Sequence, residues 1–180
     1  MANRHHEFLD RGARVFAISA DIAPMNAAVV EKMALPFPIL SDADRDQAIT
    51  PMGFADEKDP REIARPGAVV ISPAAEVVYS FLGRDYTDRP LEDVLLEELA
   101  RLGLDSTEQT SPELGAIEAG PKAMPYQGLS PYFRGAKFAG LAIRSRYRDL
   151  GEAFADDLKR YVEMLDRYLE ALPGVEERRA

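Results

Sequence analysis

The sequence predicts an α/β domain, ordered β-α-β-α-β-β-α, followed by a C-terminal helical hairpin. Three observations carry this prediction. Residues 14–20, "RVFAISA", and 68–72, "AVVIS", are unbroken apolar runs rich in β-branched residues, as strands buried on both faces are. Between such runs lie segments with apolar residues three and four apart, punctuated by Pro and Gly. From residue 131 onward the strand signals stop and only helical spacing remains.

After the first strand, "DIAP" starts a helix, with Pro24 in the first turn and Asp21 placed to cap it. Met25, Ala28, Val29 and Met33 form its apolar face, and Pro36 stops it. "FPIL" is a short strand, and "SDADRDQAI" opens a brief helix that Pro51 ends. Residues 54–65 are a polar loop. "AVVIS" and "EVVYSFL" (76–82) form a β-hairpin turned by Pro73. Pro90 opens a helix with Leu91, Val94, Leu95, Leu99 and Leu102 on one face, and Gly103 closes it. The first domain thus spans residues 1–104.

Residues 105–130, rich in Ser, Thr, Gly and Pro, read as a linker draped in part over that domain. Helices are expected over 131–147 and 149–172, with a tail at 173–180. Phe154, Leu158, Tyr161, Leu165, Tyr168 and Leu172 alternate at spacings of four and three, a bundle-type stripe. That stripe needs cover, from the first domain or from a second copy of the chain; a homodimer or partner chain through these helices is the expected partnership.

With 180 residues and a net charge of −9, the composition argues against a nucleic-acid or anionic-lipid partner. No apolar run approaches the roughly 20 residues that span a bilayer, and "MANRHHEFLDRG" lacks the core of a secretory signal, so a cytoplasmic setting is expected. Cysteine is absent, which excludes a thiolate nucleophile, a disulfide and a zinc–sulfur site within this sequence. "DADRD" (42–46) hints at calcium, but a calcium loop needs Gly at its sixth position and Glu at its twelfth, where Gln47 and Gly53 stand. These acids are expected to start the short helix instead. Adjacent His5 and His6 diverge by about 100° on a helix and read as a solvated helix remnant. No cofactor or metal is expected.

"GARVFAISAD", "LPFPILSDADRDQAI", "MGF" and "ARPGAVVISPAAEVVYSFLGRDYTDRPLEDVL" together resemble the later two-thirds of the peroxiredoxins, in the alkyl hydroperoxide reductase and thiol-specific antioxidant branch of the thioredoxin fold. The resemblance covers residues 7–102. It implies an antioxidant oxidoreductase that reduces hydroperoxides with electrons from a thiol reductant. It also implies a central strand and a cysteine-bearing loop that the family places upstream of "RHHEFLDRG", the tail of the cysteine helix. This sequence therefore reads as an incomplete thioredoxin-like fold, inactive as given. Its sheet, lacking a middle strand, must close up, borrow a strand or stay partly open. Three explanations remain: a start site further upstream, a degraded or split gene, or a cysteine-free module with a rebuilt sheet. The alternative function is a non-catalytic interaction module that dimerises through its C-terminal helices.

Two residues carry the family's site. Arg65, just before the strand at Ala68, matches the Arg that orients peroxide, a catalytic role meaningful only in a complete protein. Pro66 occupies the place of the thioredoxin fold's cis-proline, a structural role. The ordinary alternatives are an Arg paired with a carboxylate and a trans proline leading into a strand.

Overall fold

A computed structural model describes every residue except Glu62 and Tyr86. The chain divides into two compact units, residues Met1–Gly120 and Pro121–Ala180.

In the first unit, α1 (His5–Leu9) precedes β1 (Ala17–Ser19), α2 (Ala23–Met33) and β2 (Ile39–Ser41). β3 (Gly67–Ile71), β4 (Val77–Leu82) and α3 (Glu92–Leu102) follow. β1 and β2 pair in parallel, with Ile18 opposite Leu40. β3 and β4 pair antiparallel, with Val70 opposite Tyr79 and a bulge between Val70 and Ile71. Among the described residues no ladder joins the two pairs, so the strands form two separate two-stranded sheets.

One apolar cluster serves both pairs. Phe8 of α1, Val15, Phe37, Val70 of β3, and Leu95, Leu96 and Leu99 of α3 are buried together, with Ala17 and Tyr79 packed against them. Strand alternation explains which residues take part. Val15 and Ala17 point to the cluster while Phe16 and Ile18 stay exposed, as period-two side chains must. The cluster's leucines on α3 stand at helical spacing, and Gly103 ends that helix in the left-handed conformation (φ 60°). α2 ends earlier than its proline: Ala34 is itself left-handed (φ 45°), and the Leu35 N–H reaches back to the Val30 carbonyl at 3.0 Å.

Three expectations need correction, at residues 42–50, Asp21 and His5. Residues 42–50 form turns rather than a helix, because the Asp42 carboxylate draws three successive backbone N–H groups onto itself. Asp21 does not cap α2, whose N-cap is Ile22 without a side-chain bond; the Asp21 carboxylate instead accepts from the Ser19 hydroxyl at 2.8 Å. His5 is buried, not solvated, against the Phe37 ring at 5.8 Å. Residues 105–120 group with the first unit, held by Thr107 N–H to the Leu9 carbonyl (2.9 Å) and Glu118 N–H to the Pro24 carbonyl (3.0 Å).

In the second unit α4 (Leu129–Arg146) and α5 (Glu152–Arg179) lie side by side. Gly140 permits the approach, since a Cβ there would meet the Tyr161 ring at 3.2 Å and Val162 at 3.4 Å. Phe133 packs on Tyr168 (ring centroids 5.3 Å apart), and Lys137 pairs with Asp166. α5 runs through Pro173, where a tail is expected. Proline in a helix interior costs about 3 kcal/mol, and burial of Val175 beyond it favours continuing the helix. The Tyr126 hydroxyl donates to the Leu172 carbonyl at 3.0 Å, next to Pro173.

Candidate functional site

Arg65 sits two residues before β3, where its own N–H donates to the Phe54 carbonyl at 2.7 Å. Its guanidinium is turned across the open end of the β-hairpin to the residue after β4: Nε (3.0 Å) and Nη2 (2.6 Å) both donate to the carbonyl of Gly83. The next residue completes a staple, since the Gly83 N–H donates to the Pro66 carbonyl at 2.7 Å. Glycine is required at position 83, because a Cβ would meet the Asp88 carbonyl oxygen at 2.5 Å and that of Pro66 at 2.9 Å. Gly67 is equally constrained by the Phe54 ring, at 2.1 Å from a Cβ position.

The Arg65–Pro66 bond is trans, as are all peptide bonds among the described residues, which corrects the cis expectation. The trans form is the ordinary preference by about 0.5–1 kcal/mol, and no thiol is present for the backbone to face. Arg65 thus spends two of its nitrogens on a backbone carbonyl. Neither a carboxylate nor a nucleophile is bonded to it among the described residues.

A second polar centre lies at the carboxyl ends of β1 and β2, where open α/β sheets usually place their sites. The Asp21 carbonyl accepts from Ser41 Oγ at 2.5 Å and from Asn26 Nδ2 at 3.1 Å. Asp42, only 3% exposed, accepts the N–H groups of Gln47 (3.2 Å), Ala48 (2.9 Å) and Ile49 (2.8 Å). Those bonds, led by that from Ile49, hold its carboxyl below the ordinary value. Both Asp42 oxygens are occupied by backbone donors, so the carboxylate ties a turn together. Among the described residues no group of three or more His, Cys, Asp or Glu is arranged to hold a metal. Asn26 is the residue the sequence reading missed; its signal was a lone amide in a helix otherwise apolar on that side.

A third cluster joins residues far apart in sequence. Gln109 Nε2 donates to the Val15 carbonyl at 2.7 Å, while its Oε1 accepts the Val15 N–H at 2.8 Å. That pair fixes the amide's orientation, so His5 Nε2, 3.0 Å from Oε1, is the donor in their bond. All three centres are structural: each satisfies backbone groups, and none presents a nucleophile.

Among the described residues no helix is long and apolar enough to cross a membrane. No curated protein matches the chain. The model of the AhpC/TSA family matches residues 1–80, the segment from α1 through the middle of β4. Over residues 1–80 the chain is therefore similar to the peroxiredoxin-like AhpC/TSA family, in a sequence without cysteine.

Proposed function

We propose that this chain is a peroxiredoxin-like antioxidant protein of the family that reduces hydroperoxides at the expense of thiols, inactive as given because it has no cysteine. Its first unit is an incomplete thioredoxin-like fold, and its C-terminal helices form an appended hairpin. The AhpC/TSA match over residues 1–80, in a sequence with no cysteine, is the observation that carries this reading. Peroxide reduction in this family begins with thiolate attack on the O–O bond, giving sulfenic acid. Serine and threonine hydroxyls cannot follow that cycle, so the polypeptide by itself has no turnover. Arg65, stapled to Gly83 through Nε and Nη2, would serve peroxide only in a complete protein, through its remaining N–H donors. The test is peroxide consumption by the purified chain with dithiothreitol as electron donor. The expected rate is that of dithiothreitol alone, and a rate rising in proportion to protein concentration would overturn the reading.

A second reading has its own observation. On α4, Tyr132 (57% exposed), Phe138 (67%) and Ile143 (42%) are exposed apolar side chains, Tyr132 and Ile143 on one face, which supports a non-catalytic module that dimerises through its C-terminal helices. Light scattering across a concentration series decides it: a mass that doubles with concentration supports the module, and a monomer throughout removes it.

A further inference from the structure

The turn between α4 and α5 encloses a cleft that neither reading uses. Its volume is about 450 Å³, within the range of small-ligand pockets. Leu141 and Phe154 form its apolar wall, and Arg144, Ser145, Tyr147 and Arg148 supply its polar side. No carboxylate lines it. The chain carries 31 acidic and 22 basic residues, and some of its arginines meet a carboxylate. Arg4, Arg61, Arg84 and Arg101 all do so. Arg144 and Arg148 do not: among the described residues neither has an ion-pair partner, and Arg148 reaches only the Ser145 hydroxyl, at 3.5 Å. Arg146 and Asp149 are the other charged residues of the turn.

Two solvent-exposed guanidiniums without carboxylates, beside the half-buried Leu141 and Phe154, offer paired N–H donors to an oxyanion and an apolar surface to whatever carries it. We infer that this cleft binds a small organic anion, a carboxylate or phosphate headgroup on an aromatic ring or short chain. Arg144 and Arg148 would hold the headgroup, while Leu141 and Phe154 take the apolar part. The competing role is local. Cations in the last turn of a helix also suit its negative end, and in that role they would affect stability alone.

The two roles separate in a titration of the full chain at low salt, followed by heteronuclear NMR. Four probes are used: phenyl phosphate, benzoate, inorganic phosphate and benzyl alcohol. Saturable shifts at residues 141–155 are expected with phenyl phosphate, benzoate or both, and the stronger of the two assigns the headgroup. Inorganic phosphate and benzyl alcohol each lack one half of the recognition and are expected to bind at least about tenfold more weakly. Replacing both arginines (Arg144→Gln with Arg148→Gln) should weaken the preferred probe by about tenfold or more, while Arg134→Gln should leave it unchanged. The inference is overturned if no probe saturates by about 10 mM, or if the double variant binds as tightly as the parent. Equal binding of inorganic phosphate and phenyl phosphate would also overturn it. None of these readouts depends on peroxide chemistry.

Discussion

Gln109→Ala is the substitution with the clearest structural arithmetic. The side chain bridges 94 residues to satisfy both backbone groups of Val15, and its oxygen also accepts from His5. Val15 is 6% exposed and belongs to the apolar cluster, so its N–H and carbonyl have little recourse to water once the amide is removed. A net hydrogen bond is worth about 0.5–1.5 kcal/mol, and an orphaned buried group costs about 1–3 kcal/mol. Gln109 is only partly buried, so some water replaces it, and the loss falls near 2–3 kcal/mol. With a urea dependence of about 1.5–2 kcal/mol per molar, the unfolding midpoint should drop by about 1–2 M. Hydrogen exchange locates the effect, since the Val15 amide should lose protection before the α3 core does. Gln109→Glu should do no better: it retains acceptors for the Val15 N–H but has no donor for the carbonyl. A midpoint within about 0.2 M of the parent, with Val15 protection intact, would refute the reasoning that residues 105–120 are held to β1 by this amide.

Acid should destabilise the first unit. Asp42 titrates below its ordinary 3.8 in the folded state, so the unfolded chain binds more protons as pH falls toward and below that value. Its stabilisation is therefore complete above about pH 5 and is lost as pH falls through the folded pKa; urea midpoints measured from pH 6 to pH 2.5 should fall less steeply in Asp42→Asn than in the parent. Glu7, lowered mainly by its bond to Arg4, and Asp59, held at about 2 by Arg61, act in the same direction, so the slope should flatten without vanishing. In the second unit, Gly140→Leu should cost about 1–3 kcal/mol, because even a Cβ lies 3.2 Å from the Tyr161 ring and helical packing must spread to admit more. The loss of helical circular dichroism on heating would read that directly.

What was legible in the sequence follows from how far each interaction reaches. Leu95 and Leu99 declare the buried face of α3 because their spacing is local, and Gly103 declares its end because only backbone handedness is involved. The "AVVIS" and "EVVYSFL" runs pair as a hairpin because a short turn leaves little choice of partner. Illegible elements depend on partners elsewhere. Nothing near His5 says that Gln109 and Phe37 will enclose it. "SDADRDQAI" has the composition of a helix start, yet Asp42 competes for the N–H groups of residues 47–49 and wins them for a turn. Pro73 and Pro173 show both sides of the proline rule. The first turns a hairpin as local preference dictates, whereas the second is carried inside α5, with Val175 buried beyond it. For Arg65 the chemistry of the residue was readable but its employment was not, because Gly83 lies 18 residues away.

That employment bears on function. A two-stranded ribbon is marginal in water, and here two of them stand without a ladder between them. Their outward sides leave Phe16, Ile18 and Leu40 exposed on one pair and Ile71, Val77 and Leu82 on the other. Hydrogen bonding along the ladders therefore cannot be what keeps the first unit folded. The shared cluster of Phe8, Val15, Phe37, Val70 and the α3 leucines does that, supplemented by side chains that satisfy backbone groups a wider sheet would have paired. Gln109 does this for Val15, Asp42 for residues 47–49, and Arg65 for Gly83. A side chain that secures the backbone in this way is held by what it secures. The bond of Arg65 to Gly83 uses Nε and Nη2, and among the described residues Nη1 makes no hydrogen bond. In this sequence, which has no thiol, the Arg65 guanidinium is used to secure the backbone at Gly83.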